Sequence, residues 1–261
     1  MAVIPSRVEE SLDASKGARD FSTSLDTTAR LFNALLIYHD DAAHSAAMNM
    51  SIDEALLEHA AVSSIRFYRW HSPALSFGYF GKFADVASNA GGRDLVRRWT
   101  GGGIVFHGED LTYSIVIPCS DRTFAESSIS IYAAVHAAMR DALIANGQRA
   151  ELAAVAAVSN PRGNEDSAVG DRPFNCFANP VRADVMIDNR KVAGAAQRRT
   201  RQGLLQQGSI QGLDLGNGLA DGFARALSAN CRERKIDEEI LNRARELAHC
   251  KYGTTAWLCK R

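Results

Sequence analysis

Three consecutive glycines, Gly101, Gly102 and Gly103, stand between Arg97-Arg98-Trp99-Thr100 and the apolar run Ile104-Val105-Phe106, which ends at His107. Bare backbone there lets amide groups come close to a ligand, and the apolar run reads as a strand heading into the interior. Taken alone, a glycine triplet is equally a tight turn into a strand, but two arginines and a histidine around it make the segment read as an anion cradle. Roughly ninety residues further on, Asn189-Arg190-Lys191-Val192-Ala193-Gly194-Ala195-Ala196-Gln197-Arg198-Arg199 places a lysine three residues before a glycine. The stretch is strand-like, and its small residues leave space beside an ammonium group, as on the floor of a pocket.

With 261 residues, 46% hydrophobic and 23% charged, the chain has ample material for one core, and one domain or at most two is expected. Thirty basic and thirty acidic residues cancel, so no bulk charge draws the chain to nucleic acid or to an acidic membrane. No apolar run is long enough to span a bilayer and no secretory signal is recognisable, which makes the cytoplasm the expected location. The five cysteines, Cys119, Cys176, Cys231, Cys250 and Cys259, are scattered without metal-binding spacing. Free thiols and no metal are expected.

Residues 1–30 carry no sustained apolar period and read as a flexible N-terminal extension, with residues 31–261 as one catalytic domain. Ser51 followed by Glu54 is a capping-box signature, so a helix is predicted to begin there. Ser64 to Phe80 reads as two strands in a hairpin turning at Pro73, and Ile104–Phe106 with Leu111–Ile117 as a second pair that sets His107 at a strand end facing a cleft. Ile131, Val135, Met139 and Leu143 recur at four-residue steps before Asn146-Gly147, predicting a helix over Ser130–Asn146. Ser159–Asn175, rich in Pro and Gly, reads as a loop that closes over substrate. Arg182–Ile187, Lys191–Arg199 and Leu204–Ile210 read as a meander, with Asp188-Asn189 at one turn, and two helices follow at about Leu219–Ala229 and Ile236–His249.

Together with Asn49–Leu57, Ile65–Trp70, Leu111–Val116, Gln207-Gly208-Ser209-Ile210 and Lys251–Trp257, the two opening segments resemble the catalytic domain shared by lipoate-protein ligases and lipoate-type octanoyltransferases. The resemblance covers roughly residues 45 to 258. It implies an α+β fold with a mixed, mostly antiparallel sheet flanked by helices, similar to biotin ligases and class II aminoacyl-tRNA synthetases. It also implies that Arg98, Thr100, Gly101, Gly102, Gly103 and His107 line the substrate pocket, with Gly194 letting substrate lie against backbone and Gln197 as a polar contact. Lys191 then neutralises a carboxylate, a phosphate or a developing oxyanion.

Cys176, in Phe174-Asn175-Cys176-Phe177, looks like the nucleophile of the cysteine-dependent octanoyltransferases, although an isolated cysteine is more often a small buried hydrophobe. On that resemblance the expected reaction moves an octanoyl group from acyl carrier protein, through an acyl-Cys176, to the lysine of a lipoyl-domain protein such as the glycine-cleavage H protein, without a cofactor. The rival in the same family is an ATP- and magnesium-dependent lipoate-protein ligase; a rival of another kind is a non-catalytic subunit that binds lipoyl domains. Two positions depart from the family's pattern: Gln207 stands where His is common, and Gly81 where a polar residue is usual. Longer ligases carry an accessory domain after the position where this chain ends, which favours transfer from a carrier.

Overall fold

A computed structural model describes residues 30–154, 180–213 and 218–260. The expected N-terminal extension up to residue 29, the Ser159–Asn175 loop and Cys176 lie outside the described residues. In chain order the elements are β1 (Leu35–His44), α1 (Ala46–Glu58), β2 (Ser64–Trp70), β3 (Ala74–Phe77), α2 (Phe83–Ala87), β4 (Asp94–Arg97), β5 (Val105–His107), β6 (Leu111–Pro118), α3 (Ser128–Ala145) and β7 (Ala150–Leu152). Then follow β8 (Val185–Ile187), β9 (Arg190–Arg199), β10 (Gly203–Ile210), α4 (Leu219–Leu227), β11 (Cys231–Glu233), α5 (Glu238–Leu247) and α6 (Thr255–Leu258). Among the described residues no helix is long and apolar enough to cross a membrane.

Eight strands form one sheet in the order β11-β1-β2-β6-β10-β9-β8-β7, and β4-β3-β5 form a second. In the large sheet β1 runs parallel to β11 and β2, and every other neighbour is antiparallel. Alternate residues of each strand point to opposite faces. Ile115, Ile117, Leu204 and Ile210 therefore pack with α3 and α4, while Val116 and Leu205 pack with α1 and α5. The result is an α+β fold whose mostly antiparallel sheet is flanked by helices on both faces.

Neither predicted strand pair forms. β2 has both edges occupied, by β1 and β6, and β6 lies between β2 and β10. Neither β2 nor β6 has an edge left for β3 or β5, and these pair with each other instead, antiparallel, with Ala74 opposite His107. The meander does form. Its β8–β9 turn uses Asp188 at φ 48° and Asn189 at φ 59°, the backbone a two-residue hairpin requires and one these residues tolerate.

Helix α1 begins six residues earlier than predicted. Ser45 is the cap, accepting from the Met48 amide, whereas the Ser51 hydroxyl donates to the Ala47 carbonyl inside the helix. Glu54 does not return to a cap; it receives Lys251 Nζ at 2.6 Å and the Tyr252 hydroxyl. The capping-box pattern misleads because α1 is buried along most of its length, so its polar side chains serve tertiary contacts. The periodic helix is where it was expected: Ser127 caps α3 and Asn146 closes it, followed by Gly147 at φ 82°.

Inside α3, His136 donates from Nδ1 to the Ala183 carbonyl at 2.9 Å and accepts at Nε2 from the Tyr113 hydroxyl at 3.2 Å. Burial pushes its pKa down from 6.5 to about 4. An unfolded imidazole binds a proton near pH 6.5 and the folded one only near 4, so stability is full above that window and falls as pH falls through it. The expected loss from this residue is roughly 3 kcal/mol across the window. Urea unfolding of the parent and of His136→Gln over the same pH range measures it, and the variant should lack this part of the slope.

Candidate active site

Where the small sheet meets the pocket-facing side of β6, β9 and β10, the side chains line a cavity whose empty space, open mouth included, is about 470 Å³. Met50, Tyr68, Trp70, Val105, Ala195 and Ala196 supply its apolar wall. Lys191, Arg98, His107, Ser76, Thr112, Gln207 and Ser209 supply its polar groups.

Lys191 leaves the start of β9 and crosses Gly194: a Cβ at that glycine would stand 2.4 Å from the lysine Cε. Its Nζ lies 2.8 Å from Asp184 Oδ2. The carboxylate is fully buried and also accepts from the Val181 amide at 2.7 Å and from the Tyr132 hydroxyl at 2.5 Å. Burial and the adjoining Asp184 hold the Tyr132 phenol far above its ordinary pKa, so it remains a donor. An ammonium fixed in this way is a point of positive charge at the end of an apolar-walled cavity.

Opposite it, at the end of β5, His107 faces Asp110 Oδ2 from Nδ1 at 2.8 Å and Ser76 Oγ from Nε2 at 2.7 Å. Trp70 stacks on the imidazole with ring centroids 4.0 Å apart. Burial lowers the pKa of His107, outweighing Asp110. For Asp110 burial pulls upward, but hydrogen bonds from His107, Ser209 and the Gly108 amide prevail and hold the carboxyl below its ordinary value. Neutral imidazole and ionised carboxylate is the resulting state.

Arg98 donates from Nη1 to Ser76 Oγ at 2.6 Å and from Nη2 to the Gly101 and Gly103 carbonyls at 3.0 and 2.9 Å. The glycine loop thus wraps its carbonyls around a guanidinium. Gly102 takes φ 84°, and Gly78 passes so close that a Cβ there would stand 2.0 Å from the Gly102 oxygen. Arg97, in contrast, is spent on structure: it is 1% exposed and donates to the carbonyls of Tyr79, Gly81, Trp257, Leu258 and Lys260.

Arg98, His107, Lys191 and Gly194 therefore come together, while the other sequence candidates stand elsewhere. Thr100 sits behind the wall, donating to Gln207 Oε1 at 2.8 Å. Gly101–Gly103 do not line this cavity; Gly102 and Gly103 border another, beside α2. Gln197 lies opposite Gln206 and donates to its side-chain oxygen on the α3 face, one strand position out of phase with the pocket-lining Gln207. Sequence reading passed over Ser76, Asp110, Tyr132, Asp184 and Asp53. His107-x-x-Asp110 was a legible spacing, but nothing local distinguishes the others from ordinary strand or helix residues.

The fold is that of solved lipoate ligases. It matches protein Ta0514 from T. acidophilum with bound lipoic acid (TM-score 0.64, 24% identity, 87% of this chain and 99% of that one). It also matches lipoate-protein ligase A bound with ATP (TM-score 0.62, 22% identity, 87% and 98%). The chain belongs to the lipoyl protein ligase A/B catalytic domain family, whose pattern matches residues 45–243. It is 36% identical over 178 residues to octanoyltransferase LipM of Macrococcus caseolyticus, covering 64% of this chain and 62% of that protein, so the chain spans about three fifths of that relative. With octanoyltransferase LipM of Brevibacillus brevis it shares 32% over 205 residues, covering 75% and 72%.

Gly194→Ala tests how Lys191 is held. The added methyl's nearest neighbours are the flexible end of the lysine and, at 3.2 Å, Asp184 Oδ1. The fold should survive at a cost of up to about 3–5 kcal/mol, because the buried Asp184 loses its partner, while Lys191 is displaced from Asp184 and becomes more reactive toward an amine-acylating reagent. Thermal melting with peptide mapping of the modified lysine measures both.

Proposed function

We propose that the protein transfers an octanoyl group from a carrier-protein thioester to the lysine of a lipoyl-domain protein, through an acyl-enzyme on Cys176. The observation that carries this reading is the Lys191 ammonium, fixed by Asp184 at the end of an apolar-walled cavity, in a chain related to octanoyltransferases. The apolar wall accepts a saturated chain, and the ammonium stabilises the oxyanion that forms when a thioester carbonyl is attacked. Cys176 enters from the sequence: it precedes the strand of Lys191, and its thiolate attacks the donor thioester. Acyl carrier protein is the donor in this reading, a lipoyl-domain protein such as the glycine-cleavage H protein the acceptor, and the cytoplasm the compartment. Residues 31–261 act as one catalytic domain, and neither ATP nor a metal takes part.

Incubation with octanoyl-carrier protein in the absence of ATP should add one octanoyl group, mapped by mass spectrometry to Cys176. Cys119, Cys250 and Cys259 are exposed and serve as internal controls. No adduct, together with acceptor modification that needs ATP and free lipoate, replaces this reading with that of a ligase.

Lys191→Ala should remain folded and lose transfer rate by about 10²–10³, the usual effect of removing one oxyanion-stabilising group. Single-turnover acylation of the variant, compared with the parent, checks it. Near-normal acylation removes Lys191 from the mechanism.

A further inference from the structure

Lys191 does not reach the cavity by the regular geometry of a strand. Met186 pairs with Lys191 and Val185 with Ala193, so β9 carries one more residue than β8 there, a bulge of the kind that re-aims a side chain beside an active site. The lysine turns across Gly194 toward Asp184, the residue just before β8. The turn that presents Asp184 is strained. Ala183 takes φ 67°, a left-handed conformation that costs an alanine energy and persists only where its surroundings over-determine it. Helix α3 supplies that constraint: His136 donates to the Ala183 carbonyl at 2.9 Å, and Tyr132, one turn earlier, donates to Asp184 Oδ1 at 2.5 Å. The two rings stand edge to face, with centroids 4.1 Å apart.

We propose that Tyr132 is a positioning residue for the cavity ammonium: its hydroxyl fixes the Asp184 carboxylate, and through it the place of Lys191, without touching substrate. This rests on the role given to Lys191 in acyl transfer. Hydrogen-bond capacities set the direction of the hydroxyl. The Ala195 amide only donates, and it reaches Tyr132 Oη at 3.3 Å, so the phenolic proton is directed to Asp184 Oδ1. Ala195 stands two residues beyond Ala193, where the pairing of β9 with β8 stops. The hydroxyl therefore takes the place of a strand partner on that edge of β9.

The carboxylate is thereby gripped on both oxygens. Oδ1 receives Tyr132, while Oδ2 receives the Val181 amide at 2.7 Å and Lys191 Nζ at 2.8 Å. Rotation about the Cβ–Cγ bond of Asp184 would carry Oδ2 away from Nζ, and Tyr132 opposes that rotation from outside the cavity, which it does not line. Its hydroxyl is tied at the same time to the amide of the residue after Gly194, so the carboxylate and the cavity wall share one frame. A lysine nitrogen rides on a flexible four-carbon stem and is not placed by its own backbone. Misplacing a group that acts at the reacting carbonyl by about 1 Å can cost about 10²-fold in rate.

Tyr132→Phe keeps the ring and removes the hydroxyl. Single-turnover acylation by octanoyl-carrier protein should slow about 10–10²-fold, with the half-saturating donor concentration unchanged, and an amine-acylating reagent should label Lys191 several-fold faster, as mapped on its peptide. Asp184→Asn should slow acylation as well, and the two changes together should cost no more than Asp184→Asn alone, because one acts through the other. If Asp184→Asn does not fold, the cycle is run on Lys191→Ala, in which Tyr132→Phe should have no further effect. A hydroxyl that serves the fold alone would lower the melting temperature, leave Lys191 labelling unchanged and add its effect to that of the second variant. Unchanged labelling, additive effects or acylation at the parent rate each overturn the proposal. A parent that never forms an acyl-enzyme removes the acyl-transfer reading, and labelling of Lys191 in Tyr132→Phe then decides alone whether the hydroxyl holds the ammonium.

Discussion

The buried carboxylate of Asp53, on α1, holds the site's framework together. It is fully inaccessible and accepts four side-chain hydrogen bonds: Arg66 at 2.8 Å and Ser114 at 2.7 Å on one oxygen, Tyr68 at 3.1 Å and Gln207 at 2.7 Å on the other. The donors come from β2, β6 and β10, so one charge ties the helix to three adjacent strands of the large sheet. Arg66 is itself fully buried and shared with Asp40 and Asn49, which leaves neither ion uncompensated. Removing one partner of such a pair strands the other, a defect that commonly costs about 3–5 kcal/mol.

The cavity is built outward from that hub. Gln207 passes the connection on by accepting from Thr100, so the glycine loop of the small sheet is referenced to α1 through a single side chain. In this chain the glutamine, where relatives were expected to carry histidine, makes both bonds at once through its amide, as donor to Asp53 and acceptor from Thr100. Charge in the cavity is correspondingly ordered. Asp184 holds Lys191, the glycine carbonyls hold Arg98, and Asp110 orients His107, whose pKa burial lowers, so each group is fixed in place before substrate arrives.

Legibility followed the reach of each signal. Lys191, Gly194, Arg98 and His107, positions named by the resemblance, line one cavity, and the resemblance attaches to short patterns of glycine and charge. Gln197 misled because strand period alone does not say which face of β9 meets the cavity, and a register shift against β8 falls within β9, between Lys191 and Ala193. Ser76 sits in Ala74-Leu75-Ser76-Phe77, indistinguishable from a buried strand until β5 is laid beside it with Val105 opposite Ser76.

By itself the sequence determined the elements whose causes are local: α3 from its four-residue period and Asn146-Gly147 stop, the β8–β9–β10 meander from alternation and a turn that tolerates positive φ, and the glycine loop from its missing side chains. Only the tertiary structure decided what each strand pairs with, because pairing depends on which edges are already filled. The exclusion of β3 and β5 from the large sheet follows from β2 and β6 each having two neighbours, a fact no local pattern carries. The same holds for the partners of Asp53, Asp110 and Asp184. A carboxylate reads alike in any sequence, and it is burial beside specific donors that turns three of them into the fixed charges on which this site is organised.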